Sequence, residues 1–226
     1  MQNWNRMKNI SGYIFSVVLL VLLPVMAAGQ DTLRSIGPRI GLDLSRFAYL
    51  FFDPAERGAE LSLDMEIVRS LYPVVEVGFS SLRETEDQFD YAMSGAYGRV
   101  GADYNILQHA DRTVYHTVTV GGRYGVARFQ HRAENVTIPS GYWGDYLLES
   151  HEYSLTGHWL ELVGAVKAEI FTNFFMGWSL RYRILLNPDM DPLFAPLIVP
   201  GYGRGAQNRA IGFTYSVYYK IPLYKK

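Results

Sequence analysis

Histidines with neighbouring serines and carboxylates are the residues of this chain best suited to chemistry. The sequence holds five histidines and no cysteine. A serine nucleophile needs a positioned base, and that base needs a third group that orients it. Two candidate sets occur, Ser150 with His151 and Glu152, and Ser154 with His158. Such sets would suit an enzyme that modifies lipid or surface glycan.

The local spacing of these residues does not favour catalysis. Neighbouring residues on a strand point to opposite faces, so Ser150 and His151 could not share one site. The sequence has no HExxH pattern, which would place two zinc ligands on one helical face. The lack of cysteine excludes thiolate metal sites and a cysteine nucleophile. We therefore expect no catalytic residue, no metal site and no cofactor, and keep an enzyme as the alternative.

Charged residues at alternating positions form a second and larger set. They comprise eight acids and seven bases, so they are nearly balanced. The same segments carry apolar residues at the intervening positions, such as Leu61, Leu162 and Leu180. We expect the charged set to form one internal charge network. Its members are Arg39, Asp43, Glu60, Asp64, Glu66, Glu76, Arg99, Asp103, Arg123, Glu161, Lys167, Glu169, Arg181, Arg183 and Lys220.

The segments that carry these charges alternate with a period of two, which predicts β-strands. Eight such segments lie at about 35–52, 58–70, 73–83, 91–107, 113–129, 152–171, 174–185 and 209–226. A soluble sheet alternates with its polar face in water, and a membrane barrel alternates with its apolar face in lipid. Aromatics make up 15% of the chain, with 17 tyrosines, as the aromatic girdles of a membrane protein require.

The lengths of the connections favour the membrane interpretation. Short links (LYP, QHADR and TN) alternate with DPAER, ETEDQFD and two long loops, near 130–151 and 186–207. Short turns at one end and long loops at the other are typical of outer-membrane barrels. The sequence therefore predicts an all-β fold, an eight-stranded antiparallel transmembrane up-and-down β-barrel with long extracellular loops. Eight strands leave a lumen that side chains can fill, so we expect paired charges rather than a pore.

The N-terminus predicts a secretory signal peptide over residues 1–29, with the barrel over 30–226. Arg6 and Lys8 precede an uncharged stretch that ends in small residues near Ala28. An uncleaved membrane anchor is the alternative, because about 19 apolar residues could span a bilayer.

Two places could face a protein partner. The outward positions of the fourth segment are small, including Ala92 and Ala96, and small residues permit close approach of another surface. The proline-rich stretch 187–205 carries Leu193, Phe194, Leu197 and Ile198, which are unusual for a free loop in water. This stretch could dock on a partner, fold over the barrel mouth or pack across the barrel rim.

Several stretches resemble a known family. They are GPRIGLDLSRF, GHWLELVGAVKAEIF, NFFMGWSLRYRILL, VPGYG and FTYSVYYKIPL. Together they are similar to a Bacteroidota family of outer-membrane β-barrel proteins whose function is unknown. The resemblance implies a cell outer membrane location and about eight strands, and it supplies no catalytic residue.

The sequence as a whole favours a non-enzymatic outer-membrane protein, a structural or accessory subunit of an envelope complex. We expect it to contact outer-membrane lipid and a protein partner. A net charge of -1 gives no sign of nucleic-acid binding. A lipid- or glycan-modifying enzyme and a narrow channel remain alternatives.

Overall fold

Within the described residues, twelve β-strands make up almost all of the regular structure. The computed structural model describes residues 35–47, 55–86, 89–107, 116–138, 146–191 and 195–225. Eight long strands form the barrel: β2 (Arg39–Asp43), β3 (Glu56–Asp64), β4 (Leu71–Glu86), β5 (Phe89–Asn105), β6 (Thr117–Ile138), β7 (Tyr146–Phe171), β8 (Phe174–Leu185) and β11 (Arg209–Lys220).

The barrel is closed and antiparallel, with each strand paired to the next along the chain. The last barrel strand, β11, pairs with the first, β2, from Ser216 opposite Asp43 to Lys220 opposite Arg39. Two short strand pairs lie outside it. One joins β1 (Ser35–Ile36) to β12 (Tyr224–Lys225), and the other joins β9 (Ile198–Val199) to β10 (Gly203–Arg204). Because closure pairs every barrel strand on both sides, the barrel has no free edge strand. The predicted fold class is therefore confirmed as a closed eight-stranded antiparallel barrel.

Alternation along each strand divides the barrel into two faces. The outward face carries a band of exposed apolar residues, here called the apolar belt. Its members include Ile40, Leu61, Leu63, Val75, Val77, Phe79, Val100, Val120, Leu160, Leu162, Val166, Leu180, Ile184, Ile211 and Phe213. Within the described strands, no Asp, Glu, Lys or Arg interrupts the belt. The inward face holds the core and most of the charged side chains.

The two ends of the barrel differ. At the turn end, tight turns follow β3 and β7, and Ser70 and Asn173 adopt left-handed φ angles of 68° and 64°. At the other end, here called the loop end, β8 and β11 are joined by residues 186–208, which contain the β9–β10 pair.

The structure corrects several predicted element boundaries. The long loop expected near 130–151 is mostly strand, because β6 runs to Ile138 and β7 starts at Tyr146. The first barrel strand is only five residues long, although alternation extended over 35–52. By contrast, β8 spans the predicted 174–185.

The described part of the chain contains no helix that is long and apolar enough to cross a membrane. The predicted signal peptide, residues 1–29, lies outside the described residues.

Candidate functional site

Eight charged residues form the middle layer of the barrel interior, here called the charge cluster: Glu60, Glu76, Arg99, Asp103, Arg123, Glu161, Arg181 and Arg183. All eight are buried. Four are acids and four are bases, so the layer is neutral when every member is ionised. The members come from six strands, β3 to β8, because alternation turns one residue in two inward.

Arg99 on β5 lies at the centre of the cluster. Its guanidinium pairs with Glu60, and its Nε lies 3.1 Å from Glu76. The third contact crosses the lumen to Glu161, at 3.3 Å. Tyr97 also donates a hydrogen bond to Glu60, at 2.6 Å. One arginine therefore links carboxylates from three other strands.

Arg181 and Arg183 on β8 complete the cluster from the opposite wall. Arg181 donates two hydrogen bonds to Glu76, at 2.7 and 3.0 Å. Both arginines also reach Glu161, at 3.2 and 3.1 Å. Glu161 accepts a further bond from the indole N–H of Trp159, at 2.7 Å. Shared carboxylates of this kind offset the cost of removing charges from water, because each charge gains several partners.

The remaining cluster pair, Arg123 with Asp103, links β6 to β5 at 2.8 Å. Nearer the turn end, Asp64 accepts bonds from Arg39 at 2.5 Å and from Lys167 at 2.6 Å. Lys220 is also buried, and its ammonium lies 5.5 Å from the centroid of the Phe175 ring. These groups form a second polar layer below the charge cluster.

Three further members of the predicted charge network accept hydrogen bonds from residues close to them in the chain. Asp43 accepts a hydrogen bond from the backbone of Ser45 at 2.9 Å. Glu66 accepts one from the backbone N–H of Ser70 at 3.1 Å, and Glu169 accepts one from Asn173 at 2.7 Å. Glu66 and Glu169 thus stabilise the two turns whose φ angles are positive.

Above the charge cluster, apolar side chains close the loop end of the lumen. Val199 and Tyr202, from the segment between β8 and β11, are fully buried among residues of the barrel wall. This layer, here called the plug, comprises Leu82, Tyr91, Met93, Tyr97, Ala127, Phe129, Ala133, Leu155, Trp159, Leu185, Val199 and Tyr202. The rings of Trp159 and Tyr202 meet edge to face, with centroids 6.0 Å apart. The segment therefore folds into the barrel mouth, one of the placements expected for it.

Two glycines make this packing possible. A Cβ on Gly125 would lie 2.2 Å from the Trp159 ring, so glycine leaves room for the indole. A Cβ on Gly201 would lie 2.5 Å from the Tyr97 ring, and Gly201 also has a φ of +75°. Both requirements exclude a side chain at position 201.

Polar contacts hold the segment between β8 and β11 against the barrel wall. The Nε2 atom of His131 lies 2.9 Å from Asp191, and both side chains are fully buried. Arg183 donates to the Tyr202 carbonyl at 2.8 Å, which connects the plug to the charge cluster. The Tyr202 hydroxyl donates to the Gln207 carbonyl at 2.6 Å, and burial raises the pKa of this hydroxyl. Residue 131 lies within the loop that the sequence predicted near 130–151, and the pairing of His131 with Asp191 was not predicted.

Of the residues considered for catalysis, the structure describes the side chains of His158, Ser154 and Glu152. His158 faces outward, and its Nδ1 lies 3.0 Å from the Tyr124 hydroxyl. Ser154 lies on the same face four residues away, about 13 Å at the rise of a strand. Glu152 is exposed, whereas the side chains of Ser150 and His151 lie outside the described set. Among the described residues, no group of three His, Asp or Glu side chains has the geometry of a metal site.

The residues considered for a partner surface have mixed environments. Ala96 is exposed and Ala92 half-buried, both on the outer face of β5. Leu197 and Ile198 are partly buried and pack against the plug. Leu193 and Phe194 lie outside the described residues.

Three solved structures of other proteins are similar to this chain at low identity. The attachment invasion locus protein Ail of Yersinia pestis is 15% identical, with 83% of this chain and 95% of that chain covered and a TM-score of 0.43. CarO2 of Acinetobacter baumannii is 9% identical, with 84% of this chain and 100% of that chain covered and a TM-score of 0.40. Neisserial surface protein A (NspA) is 11% identical, with 85% of this chain and 99% of that chain covered and a TM-score of 0.35. The barrel described above rests on this chain's own strand pairing and not on these likenesses.

No curated protein matches the chain. A family model does match it, over residues 8–226, and its description is Domain of unknown function (DUF6048). The match includes every barrel strand, the charge cluster and the plug segment. The chain therefore belongs to the DUF6048 family.

Proposed function

We propose that the protein is a non-enzymatic outer-membrane β-barrel that serves as a structural or accessory subunit of an envelope complex. The filled interior carries this proposal. The charge cluster and the plug occupy the middle and the loop end of the lumen, and both are buried. The outer wall and the two rims are then the surfaces on which the protein can act.

The apolar belt supports the membrane location. Soluble monomers rarely expose contiguous apolar patches larger than a few hundred Å². Here the exposed apolar residues come from all eight barrel strands and include Leu162 and Ile211, at 60% and 75% exposure. Exposed aromatics near the turn end, Tyr104, Phe171 and Tyr219, suit the interface between lipid and water. Closure of the barrel satisfies the backbone of every strand, as a lipid environment demands.

Purification from native outer membranes tests the proposal. A tagged copy, extracted in mild detergent, should float with outer-membrane markers in a density gradient. Mass spectrometry of the purified sample should find a second protein at a fixed ratio. A barrel that purifies alone at every detergent concentration would contradict the subunit role but not the location.

Two further measurements separate the alternatives. Planar bilayers containing the purified protein should show no ion conductance, because charged and apolar layers fill the lumen. Steady single-channel currents would favour the narrow channel. Lipid extracts of cells with and without the protein should have the same mass spectra, and a lost acyl or sugar group would favour the enzyme.

The bacterial phylum that the sequence resemblance implies, the Bacteroidota, stays a prediction.

A further inference from the structure

A cavity of about 580 Å³ lies on the outer wall of the barrel beyond the apolar belt. Its charged lining residues are Arg57, Arg83, Arg132 and Glu152, and Ser81, Ser94 and Gln130 lie between them. These side chains point outward, since they alternate along the strands with buried residues. Three of those buried residues, Leu82, Met93 and His131, also line the cavity. We name this feature the outer cavity.

Strand register explains why the wall is concave here. Ala92 on β5 lies opposite Arg83 on β4 and opposite Arg132 on β6. Two residues along, Ser94 lies opposite Ser81 and Gln130. Strands lie about 4.8 Å apart, so the two arginines flank a floor of small residues at about 10 Å between their backbones. Guanidinium groups on long side chains can converge above such a floor.

The outer cavity has an excess of positive charge. Arg128 lies one outward position below Gln130, which brings the arginines in this region to four. Three acids lie nearby: Glu134, which pairs with Arg132, Glu152, which lies opposite Arg132 on β7, and Asp90, which lies opposite Glu134 on β5. Among the described residues, no acid forms an ion pair with Arg57, Arg83 or Arg128. Three exposed guanidinium groups are therefore available to an anion.

The position of the cavity along the strands indicates what kind of anion it could meet. On β4 the outward face changes from Phe79 to Ser81 and Arg83, and on β6 it changes from Val126 to Arg128. The arginines thus begin within two to four residues of the apolar belt. If the belt lies in hydrocarbon, they lie at the level of the lipid headgroups on the loop side.

We infer that the outer cavity binds the phosphorylated sugar headgroup of a glycolipid in that leaflet. Arginine presents a planar fork of donors that matches phosphate oxygens in pairs. Ser81, Ser94 and Gln130 supply the neutral donors and acceptors that sugar hydroxyls require. The cavity is also much larger than one phosphate group, which favours a sugar-bearing headgroup. This inference rests on the membrane location proposed above.

Native mass spectrometry of the detergent-solubilised full chain tests the inference. The probes are lipid A with two phosphates, one phosphate and none, and phosphatidylglycerol. We expect the phosphorylated lipid A forms to bind, and the dephosphorylated form and phosphatidylglycerol to bind at least about tenfold more weakly. Equal binding of phosphatidylglycerol would overturn the assignment to a glycolipid. No binding of any phosphorylated form would overturn the site.

Matched variants locate the binding. The double variant Arg57→Gln with Arg83→Gln should lose affinity for phosphorylated lipid A by about tenfold or more. The control, Arg69→Gln with Arg204→Gln, removes two exposed arginines elsewhere and should bind like the wild type. Equal affinity of the double variant and the control would place the binding elsewhere and overturn the inference.

Two readouts keep this test separate from the proposed function. Heat-modifiable migration on gels should show that both double variants form barrels, since all four arginines are exposed. Flotation of the wild type with plain phosphatidylcholine vesicles tests membrane insertion without any anionic headgroup. If the protein floats with the vesicles but does not bind lipid A, the inference alone is overturned. If the protein does not float with the vesicles, this would count against the membrane location.

Discussion

At the scale of single residues, Arg99 shows how the interior holds charge. Its guanidinium touches three carboxylates, Glu60, Glu76 and Glu161, in a layer where acids and bases are equal in number. Removing one partner from a buried ion pair leaves the other charge without compensation. Of the three, Glu60 depends most on Arg99, because Glu76 and Glu161 also pair closely with Arg181, whereas Arg181 lies 3.9 Å from Glu60.

Substituting Arg99 by Met should lower the free energy of unfolding by about 3–5 kcal/mol. Urea unfolding in detergent, followed by tryptophan fluorescence, measures this change. The matched control is Arg132→Met, since Arg132 is exposed and its pair with Glu134 contributes only about 0–1 kcal/mol. Equal stability of the two variants would contradict the packing of the charge cluster.

Gly201 is the second residue with a sharp requirement. Alanine at this position should cost about 1–2 kcal/mol for its positive φ, and about 1–3 kcal/mol more for overlap with the Tyr97 ring. Gly203→Ala is the control, because its φ is +123° while its Cβ would have no atom nearer than 3.8 Å. Thermal unfolding of both variants compares strain with and without the clash. Equal losses would show that the Tyr97 contact contributes nothing.

At the scale of elements, the sequence predicted best those strands that lie fully within the apolar belt. The ends of β8 are as predicted, because the adjoining TN turn is short and the outward residues of β8 are all apolar. The end of β6, 130–138, and the start of β7, 146–151, were taken for a loop. There the outward residues of β6 are polar, as in Gln130 and Arg132, while inward His131 and Ala133 stay buried. The alternation of buried residues thus continued on the other face.

The charged positions could be predicted from the sequence, but their pairings could not. Alternation predicts which residues share a face, whereas pairing depends on the register of every strand around the barrel. Arg99 and Glu161 are 62 residues apart in the chain and meet across the lumen. The plug was harder still, because it required knowing that Val199 and Tyr202 enter the mouth.

The plug segment gives the prediction at this scale. Val199→Asp would place a carboxylate among apolar residues and should release residues 195–205 from the barrel. We expect limited proteolysis to cut within 195–205 at least about tenfold faster, while the barrel core stays resistant. Gln207→Asp, at an exposed position in the same connection, is the control. Equal cleavage of both variants would contradict the anchoring of the segment by Val199.

At the scale of the whole molecule, the belt and the outer cavity divide the wall by depth. A charge in the belt should destabilise the inserted barrel, and the same charge near the loop end should not. Leu162→Arg should cost about 2–4 kcal/mol in a bilayer. Thr156→Arg, six residues nearer the loop end on the same face of β7, should cost about 0–1 kcal/mol. Unfolding of both variants from vesicles tests this, and equal costs would count against the membrane location.

The seam between β2 and β11 has a consequence for how the molecule forms. The seam holds five residue pairs, whereas β6 and β7, which pair with each other elsewhere in the barrel, share twenty-one. The β6–β7 hairpin joins residues close in sequence, so its loop closure costs little entropy, while the seam must join the two ends of the barrel. We therefore expect the hairpins to form early in folding. The seam should form last in folding and separate first in unfolding. Pairing of β2 with β11 would then be the last step of folding, in which the open sheet closes into a barrel.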